Sequence, residues 1–251
     1  MSETSGPMTS LLKHQYAVYD LRSAGVPIGG TEGIVLKTDP KSDSGELCFR
    51  GRNIFMGYLK NERATKETID NSKRVHSGDE GLFTKDGLML ITGRIKELIV
   101  TAAGENVAPV IIETYVKEEL PFLSNVMAIG DQMKYISAIL TFKVESPPSE
   151  QPSRKLSVEC REELEKLGVK GLVTVEDAAG NVQVQELIKK GIDRANKKAV
   201  SNAAKIKSWI IIPDDFSIPG NELTPTLKLK RNIVVKKYAQ QITDLYSRPE
   251  L

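Results

Sequence analysis

Asp79 is the first residue whose type and setting could do chemistry. It stands in the segment HSGDEG (76–81), between two runs typical of β-strands. A carboxylate has two acceptor oxygens and a vicinal diol has two donors, so one aspartate can hold both hydroxyls of a ribose. A turn residue that bonds its own backbone is the alternative. The segment therefore predicts Asp79 on a turn between strands, as a ribose ligand or as a turn former.

Two cations follow in the segment TGRIKELIV (92–100). Arg94 and Lys96 are two residues apart, so they lie on the same side of the chain if the segment is a strand. An arginine at this place could bind a ribose or phosphate oxygen. A solvated sheet edge is the alternative.

The segment TAAGENVAP (101–109) contains Gly104 in a predicted loop between a strand and a helix. Glycine loops let the backbone approach a ligand closely, because no Cβ stands in the way. A plain helix-entry turn fits the same residues.

Lysines also alternate with leucines near the end of the chain, in LTPTLKLKR (223–231). Lys228 and Lys230 are predicted to face away from the core, after a stiff, extended stretch of two threonines and a proline. A lysine on such a tip could be delivered to a site elsewhere. A basic strand facing solvent is the alternative.

Composition limits the classes of protein and of site to which these residues can belong. The chain has 251 residues, 40% hydrophobic, with a net charge of +2, and no apolar run approaches the length of a membrane span. No signal segment is recognised at the start, which predicts a cytoplasmic protein. The two cysteines, Cys48 and Cys160, are isolated in sequence and are predicted to be reduced thiols, with one disulfide as the alternative. Two histidines, His14 and His76, make a Ser-His-Asp or zinc site hard to build.

The basic charge is concentrated in one region. Residues 186–237 contain twelve Lys and Arg against five Asp and Glu. This surplus suits phosphate-bearing ligands or an anionic membrane surface. No nucleic-acid partner is expected, because few aromatic rings accompany the charge and no nucleic-acid-binding signature occurs.

The elements that must position these residues divide into two groups. Residues 10–60 and the hairpin 76–94 predict β structure, with a turn at Lys85-Asp86-Gly87 and a short polar helix over 60–71. The later part predicts a strand in IKELIV, two strands at 125–131 and 135–142, another at 209–213, a loop at 146–153 and helices at 109–120, 154–167, 183–203 and 232–246. The sequence therefore predicts an α+β fold in two parts.

The order of the segments is more specific than any one of them. The chain resembles the acyl-CoA synthetases of the adenylate-forming superfamily, and within it the bubblegum family of long-chain and very-long-chain acyl-CoA synthetases, through these segments in sequence: SETSGP, GELCFRGRNIFMGYL, HSGDEG, TGRIKELIVTAAGENVAP and LTPTLKLKR. The resemblance implies the end of a large β-rich domain (1–93), a hinge (94–96) and a small mobile C-terminal domain (97–251).

The family reaction implies substrates and roles. A long-chain fatty acid attacks ATP to give an acyl-adenylate, and coenzyme A then displaces AMP. By resemblance, Glu3 would hold Mg²⁺, Thr4 would lie near the α-phosphate, Asp79 would bind the ribose diol and Arg94 would support the ribose.

The remaining roles implied by the resemblance belong to the second half of the chain. Lys96 would lie at the hinge, and the loop with Gly104 would line the coenzyme A tunnel. Lys228 would be the mobile lysine that reaches the carboxylate and the α-phosphate during adenylation.

The chain departs from the family by lacking the upstream phosphate loop. We expect it to represent a C-terminal part that is inactive alone, with residues 1–93 marginally stable and 95–246 better folded. The alternatives are a non-catalytic fragment that binds a partner and a weak nucleotide- or CoA-binding module. Peripheral contact with intracellular membranes stays open.

Overall fold

A computed structural model describes residues 1–11, 23–37 and 43–247. The chain divides into two compact units, Met1–Leu98 and Ile99–Leu251. This division falls near the predicted hinge at 94–96, whose movement stays a prediction. The fold is mixed α and β, as expected from the sequence.

The first unit is built on a four-stranded antiparallel sheet in the order β3-β4-β5-β6. Gly87, with φ of +78°, closes the turn between the last two strands, so the predicted Lys85-Asp86-Gly87 hairpin is confirmed. The elements of this unit are β1 Thr9–Ser10, β2 Val26–Pro27, β3 Thr31–Leu36, β4 Gly45–Gly51, α1 Glu62–Thr68, β5 Val75–Phe83 and β6 Met89–Arg94, followed by a 3₁₀ turn at Ile95–Glu97.

Strand β4 contributes buried residues from both of its faces. Leu47 and Phe49 on one face join a small apolar core with Met8 and Met89. The alternate residues Glu46 and Cys48 lie on the opposite face.

The second unit places a three-stranded sheet between two layers of helices. Strand β10 lies in the middle, antiparallel to β9 and parallel to β11. The elements are β7 Ile99–Val100, β8 Asn106–Val107, α2 Pro109–Glu119, β9 Leu123–Ile129, β10 Ile136–Phe142, α3 Val158–Lys166, α4 Val175–Gly180, α5 Val182–Asn196, β11 Ile206–Ile211, α6 Arg231–Lys237 and α7 Ala239–Ser247.

All seven residues of β10 are buried because both of its faces are covered. Ala138 and Leu140 belong to the larger core, shared with α2 to α5, while Ile139 belongs to the smaller core under α6 and α7. The alternation of one strand therefore supplies both cores.

The structure departs from the sequence predictions at several elements. IKELIV forms a 3₁₀ turn followed by the two-residue strand β7, and the helix predicted from residue 154 begins only at Val158. The final amphipathic run breaks at Tyr238 into α6 and α7. Helix α4 was not predicted, because its six residues are too few to show a helical period.

Both cysteines are free and buried, so the predicted reduced thiols are confirmed. Among the described residues, no helix combines the length and apolar character that crossing a membrane requires.

Candidate functional site

The N-terminal segment SETSGP is held by the stretch that follows β4. Thr4 forms an antiparallel bridge with Ile54, the Phe55 N–H donates to the Glu3 carbonyl at 3.0 Å, and the Ser5 N–H donates to the Asn53 carbonyl at 2.8 Å. The Thr4 hydroxyl lies 3.1 Å from the Met1 carbonyl and 3.0 Å from the Gly6 carbonyl. The loop is thus fixed by backbone pairing to residues about fifty positions further along the chain.

The Glu3 side chain is oriented by Tyr58. The Tyr58 hydroxyl donates a 2.7 Å hydrogen bond to Glu3 Oε1. This bond is the main reason that the pKa of Glu3 is lowered, and it raises the pKa of Tyr58. Glu3 is therefore an ionised carboxylate at neutral pH.

Asp79 and Arg94 are directly paired across β5 and β6. Their Cα positions are in register, and Arg94 Nε lies 3.1 Å from Asp79 Oδ1. The side chain of Asp79 is 20% exposed and that of Arg94 is 57% exposed. The prediction of Asp79 on a turn between strands is wrong, because Asp79 lies within β5.

A local irregularity explains that difference. Gly78 has φ of +69°, and the pairing of β4 with β5 and of β5 with β6 shifts register nearby. The HSGDEG segment is therefore a distorted part of a strand, which re-aims the residues that follow Gly78.

Two polar pairs of the first unit, Glu3 with Tyr58 and Asp79 with Arg94, are together called the polar cluster. Besides the Tyr58 bond, the guanidinium of Arg94 contributes to the lowered pKa of Glu3. Two carboxylates and one cation thus lie in the same region, although the sequence separates them widely. Thr4 adjoins the cluster through the backbone of Glu3.

Lys96 lies outside the strand that carries Arg94. Strand β6 ends at Arg94, and Lys96 is exposed in the 3₁₀ turn Ile95–Glu97. The two cations were expected on the same side only if one strand contained both, and this condition is not met.

Gly104 lies at the exposed tip of a β-hairpin formed by β7 and β8. Its φ is +81°, its N–H donates to the Thr101 carbonyl at 2.8 Å, and a Cβ at this position would meet nothing within 4 Å. The hairpin precedes α2, so Gly104 lies in a strand-to-strand turn instead of a strand-to-helix loop.

Lys228 lies on a tight hairpin between β11 and α6. Leu223 pairs with Leu229, the Thr224 N–H donates to the Lys228 carbonyl at 2.8 Å, and the Lys228 N–H donates to the Thr224 hydroxyl at 3.0 Å. Leu227 has φ of +59° and is 56% exposed, so the expected alternation fails at Leu227 and the basic strand given as the alternative is wrong.

Lys228 is exposed at this tip, and no described carboxylate oxygen lies within 4.0 Å of its Nζ. The base of the hairpin is held by two ion pairs whose carboxylates are buried. Glu222, 1% exposed, pairs with Lys237, and Arg231 forms a two-point pair with Glu113 at 2.6 and 2.7 Å.

Comparisons with known proteins place these residues in context. No family model matches the chain. Over 253 residues the chain is 44% identical to the long-chain-fatty-acid–CoA ligase ACSBG2 of Gallus gallus, covering 98% of this chain and 32% of that protein. It is 42% identical over 249 residues to ACSBG1 of Bos taurus, covering 98% of this chain and 34% of that protein. The chain is a homologue of the bubblegum long-chain acyl-CoA ligases. It spans about a third of the length of these bubblegum relatives.

Solved structures show the same fold. The adenylation domain of a carboxylate reductase from Mycobacterium chelonae matches with a TM-score of 0.65 at 19% identity, over 89% of this chain and 32% of that one. O-succinylbenzoate coenzyme A synthetase of Bacillus subtilis, in complex with ATP and magnesium ion, matches with a TM-score of 0.57 at 20% identity, over 92% of this chain and 39% of that one. The chain therefore shares the fold of these two proteins over the part of each that it matches.

Tyr58 is the residue of the cluster that sequence reasoning missed in this bubblegum homologue. It stands inside the quoted segment GELCFRGRNIFMGYL, but its partner Glu3 is 55 positions away. The available signal was a phenol in a segment that carries the family resemblance.

Proposed function

We propose that the chain forms part of an ATP-dependent long-chain or very-long-chain fatty acid–CoA ligase that works through an acyl-adenylate. The observation that carries this proposal is the 44% identity to a long-chain-fatty-acid–CoA ligase over 98% of the chain. The chain corresponds to the C-terminal part of the ligase in this proposal. The enzyme works in the cytoplasm or peripherally on intracellular membranes.

Asp79 and Arg94 hold the ribose of the nucleotide. The support is their placement side by side on β5 and β6, where the arginine keeps the carboxylate oriented. A carboxylate can accept from both hydroxyls of the diol, and the guanidinium can donate to a ribose or phosphate oxygen.

Glu3 supplies a ligand for Mg²⁺, and Thr4 lies near the α-phosphate. Mg²⁺ is commonly held by one or two carboxylates together with substrate phosphates, and Glu3 is an ionised oxygen ligand of that kind. When bound, the ion neutralises phosphate charge. Tyr58 fixes the carboxylate that faces it.

Lys96 acts at the hinge between the two units, and the Gly104 hairpin lines the path of coenzyme A. The division of the chain near Leu98 supports the first role. The open space around Gly104 supports the second, because a ligand can approach a backbone that carries no side chain.

Lys228 is the mobile lysine of adenylation. The first half-reaction brings a fatty acid carboxylate and a phosphate together, so a positioned ammonium lowers the barrier by offsetting their repulsion. Its exposure on a hairpin tip supports this role. A lysine needed in one half-reaction can leave in the other if its unit swings about a hinge.

The 251-residue chain alone is inactive in this proposal, because it spans about a third of its ligase relatives. The same fact favours the second candidate, a non-catalytic product that binds a partner or binds nucleotide and coenzyme A weakly.

Fatty-acid-dependent AMP release tests the enzymatic proposal. The chain is assayed with MgATP, a long-chain fatty acid and coenzyme A, alone and fused behind the preceding region of an ACSBG2 relative. We expect activity only in the fusion, and a loss on the order of 10²–10³ in rate for Lys228→Ala.

Lys230→Ala is the matched control, since Lys230 Nζ is bound to Asn221 Oδ1 at 2.5 Å. An active fusion in which Lys228→Ala keeps the full rate would contradict the assigned role. Turnover by the 251-residue chain alone would show that the inactivity proposed for it is wrong.

Calorimetric titration with AMP separates the two candidates further. Weak binding by the chain that disappears in Asp79→Asn and persists in Asp86→Asn supports the nucleotide site. Absence of binding, together with association with a separately expressed preceding region, favours the partner-binding fragment.

A further inference from the structure

Three side chains of different chemical types meet on one face of the first sheet. Glu46 and Cys48 are two residues apart on β4, and Cys48 pairs directly with His76 on β5. His76 Nδ1 lies 2.7 Å from Glu46 Oε2 and 3.6 Å from Cys48 Sγ. The three ligand atoms all lie within 4.8 Å of one another. Carboxylate oxygen, imidazole nitrogen and thiolate sulfur together form a donor set that suits Zn²⁺.

We propose that Glu46, Cys48 and His76 bind a zinc ion that links β4 to β5. This site is separate from Glu3, Asp79 and Arg94 and does not depend on the proposed ligase function. The fourth position of the tetrahedron is left to a water molecule.

The separations agree with this geometry for two of the ligands. Zn–S and Zn–N bonds of about 2.3 and 2.0–2.1 Å in a tetrahedron place sulfur and nitrogen about 3.5 Å apart. The observed separation of Cys48 Sγ and His76 Nδ1 is 3.6 Å. Glu46 Oε2, at 2.7 Å from His76 Nδ1, must withdraw by about 0.7 Å to reach a tetrahedral position. Zinc would therefore replace the hydrogen bond between Glu46 and His76.

Further groups orient the ligands from behind. The second ring nitrogen of His76, Nε2, faces Asp70 Oδ2 at 3.8 Å, and Asp70 Oδ1 accepts from the N–H groups of Ser72 and Arg74. Glu46 Oε1 accepts from the Gly78 N–H at 3.0 Å, so the carboxylate directs Oε2 toward the histidine. A carboxylate on the far side of a ligating histidine is a recurring feature of zinc sites, because it fixes the ring.

Charge explains what the ion adds. Zn²⁺ forms a bond to the sulfur as the thiol proton leaves to solvent, and one thiolate and one carboxylate then balance the ion. Cys48 is fully buried, whereas the side chains of His76 and Glu46 are 28% and 19% exposed and leave a path for entry.

Zinc titration of the 251-residue chain against a competing chelator tests the proposal, followed by metal analysis after gel filtration. We expect one ion per chain, and at least a tenfold lower affinity for Cys48→Ser, His76→Gln and Glu46→Gln. The chain has two cysteines and two histidines, so Cys160→Ser and His14→Gln are matched controls that should keep the affinity.

Cobalt gives a readout that does not depend on how well the variants fold. The unsubstituted chain loaded with Co²⁺ should show a thiolate-to-cobalt charge-transfer band that persists in Cys160→Ser. The absence of this band, or zinc affinity equal in the unsubstituted chain and in Cys48→Ser, would mean that the three residues form a metal-free hydrogen-bonded cluster, and the proposal is wrong.

Discussion

The two units differ in how they bury apolar surface. Among its described residues, the apolar core cluster of the first unit contains Met8, Leu47, Phe49 and Met89, and Val26, Val75 and Leu88 are buried outside that cluster. The second unit covers both faces of its sheet, and its larger core alone contains Phe122, Phe142, Leu140 and many further aliphatic residues from four helices. Because stability comes mainly from buried apolar area, the second unit has the means to fold by itself, and the first has much less.

The difference also separates two kinds of site. In the first unit, polar side chains from distant segments meet on a sheet with a small core. In the second, Lys228 is carried on a short hairpin whose base is fixed by two ion pairs with buried carboxylates. The first arrangement depends on how stable its unit is, and the second on how rigid the base of the hairpin is.

Thiol labelling compares the opening of the two units directly. Each unit has one fully buried cysteine, Cys48 or Cys160, and burial raises the pKa of each thiol to about 12. Each thiol therefore reacts through opening of its own unit. With a chelator present, we expect Cys48 to be labelled at least about tenfold faster, which corresponds to about 1.4 kcal/mol of opening free energy.

Mass spectrometry of peptides from the labelled chain gives both rates in one sample. Labelling in about 6 M guanidinium chloride, which is enough to unfold ordinary domains, gives the intrinsic reaction rate of each thiol. The rates in the folded chain are divided by these intrinsic rates. Equal normalised rates would mean that the units open together, and faster labelling of Cys160 would reverse the comparison.

Removing one partner from an ion pair should cost far more in the second unit. Glu113 is buried and accepts from the Ala128 N–H as well as from Arg231, whose side chain is 18% exposed. Glu113→Ala removes both contacts to Arg231 and takes the acceptor away from the buried Ala128 N–H, and we expect a loss of about 3–5 kcal/mol in unfolding free energy by denaturant titration.

Asp79→Ala is the counterpart in the first unit. Its partner Arg94 is 57% exposed, so water replaces the lost contact and the expected loss is at most about 1 kcal/mol. The double variant Glu113→Leu/Arg231→Met should recover much of the loss, because no buried charge remains. Similar losses in Glu113→Ala and Asp79→Ala would remove this distinction between the units.

Periodic segments were predictable from sequence because burial repeats with the geometry of the element. The stripe Val184, Ile188, Ile192 and Ala195 is buried along α5, as its 3.6-residue spacing predicted, but the helix ends at Asn196, so its predicted extension to residue 203 through Ala199 is wrong. The Asp-Gly turn before β6 was equally readable, since only a residue that tolerates positive φ fits there.

The hairpin of Lys228 was misread because alternation also occurs in a tight turn. The Thr224 hydroxyl accepts from the Lys228 N–H and closes this turn, and Leu227 within it has a left-handed conformation. The residue pattern did not predict this conformation. The partners Tyr58 and Glu3, and Cys48 and His76, are far apart in sequence. Only the register of the strands and the anchoring of the N-terminal loop bring them together.

Two asparagine caps offer a smaller test with matched chemistry. Asn181 Oδ1 accepts from the Gln183 and Val184 N–H groups at the start of α5, and Asn61 Oδ1 accepts from the Ala64 N–H at the start of α1. Helix α5 buries five residues and α1 buries none. We expect Asn181→Ala to cost about 1 kcal/mol and Asn61→Ala at most about 0.5 kcal/mol in denaturant titrations.

The reason is that α1 can fray without exposing a core, whereas α5 cannot. Hydrogen exchange should accordingly speed up only around residues 61–68 in Asn61→Ala. An equal global loss in the two variants would show that α1 is as strongly coupled to its unit as α5.

The smallest expected effect is on two carboxylates whose pKa values are lowered for different reasons. Glu3 in the first unit is hydrogen-bonded mainly by the neutral Tyr58 hydroxyl, and Glu119 in the second by Arg194 at 2.6 Å and Lys198 at 2.9 Å. NMR titration should show that Tyr58→Phe raises the pKa of Glu3 and leaves that of Glu119 unchanged. High salt should raise the pKa of Glu119 more than that of Glu3, because salt screens charged partners.

The sign of the stability change follows from the lowered pKa of Glu3. The stabilisation that the ionised Glu3 carboxylate gives the folded state is fully present above the pKa that Glu3 has in the unfolded chain. It is lost as pH falls through the lower pKa that Glu3 has in the folded state. Tyr58→Phe should therefore be less stable than the unsubstituted chain at neutral pH, with a difference that narrows in acid, whereas the cost of Asn181→Ala should not vary with pH. A difference for Tyr58→Phe that stays constant into acid would mean that the phenol stabilises the first unit by packing alone, and that Glu3 is held by other groups.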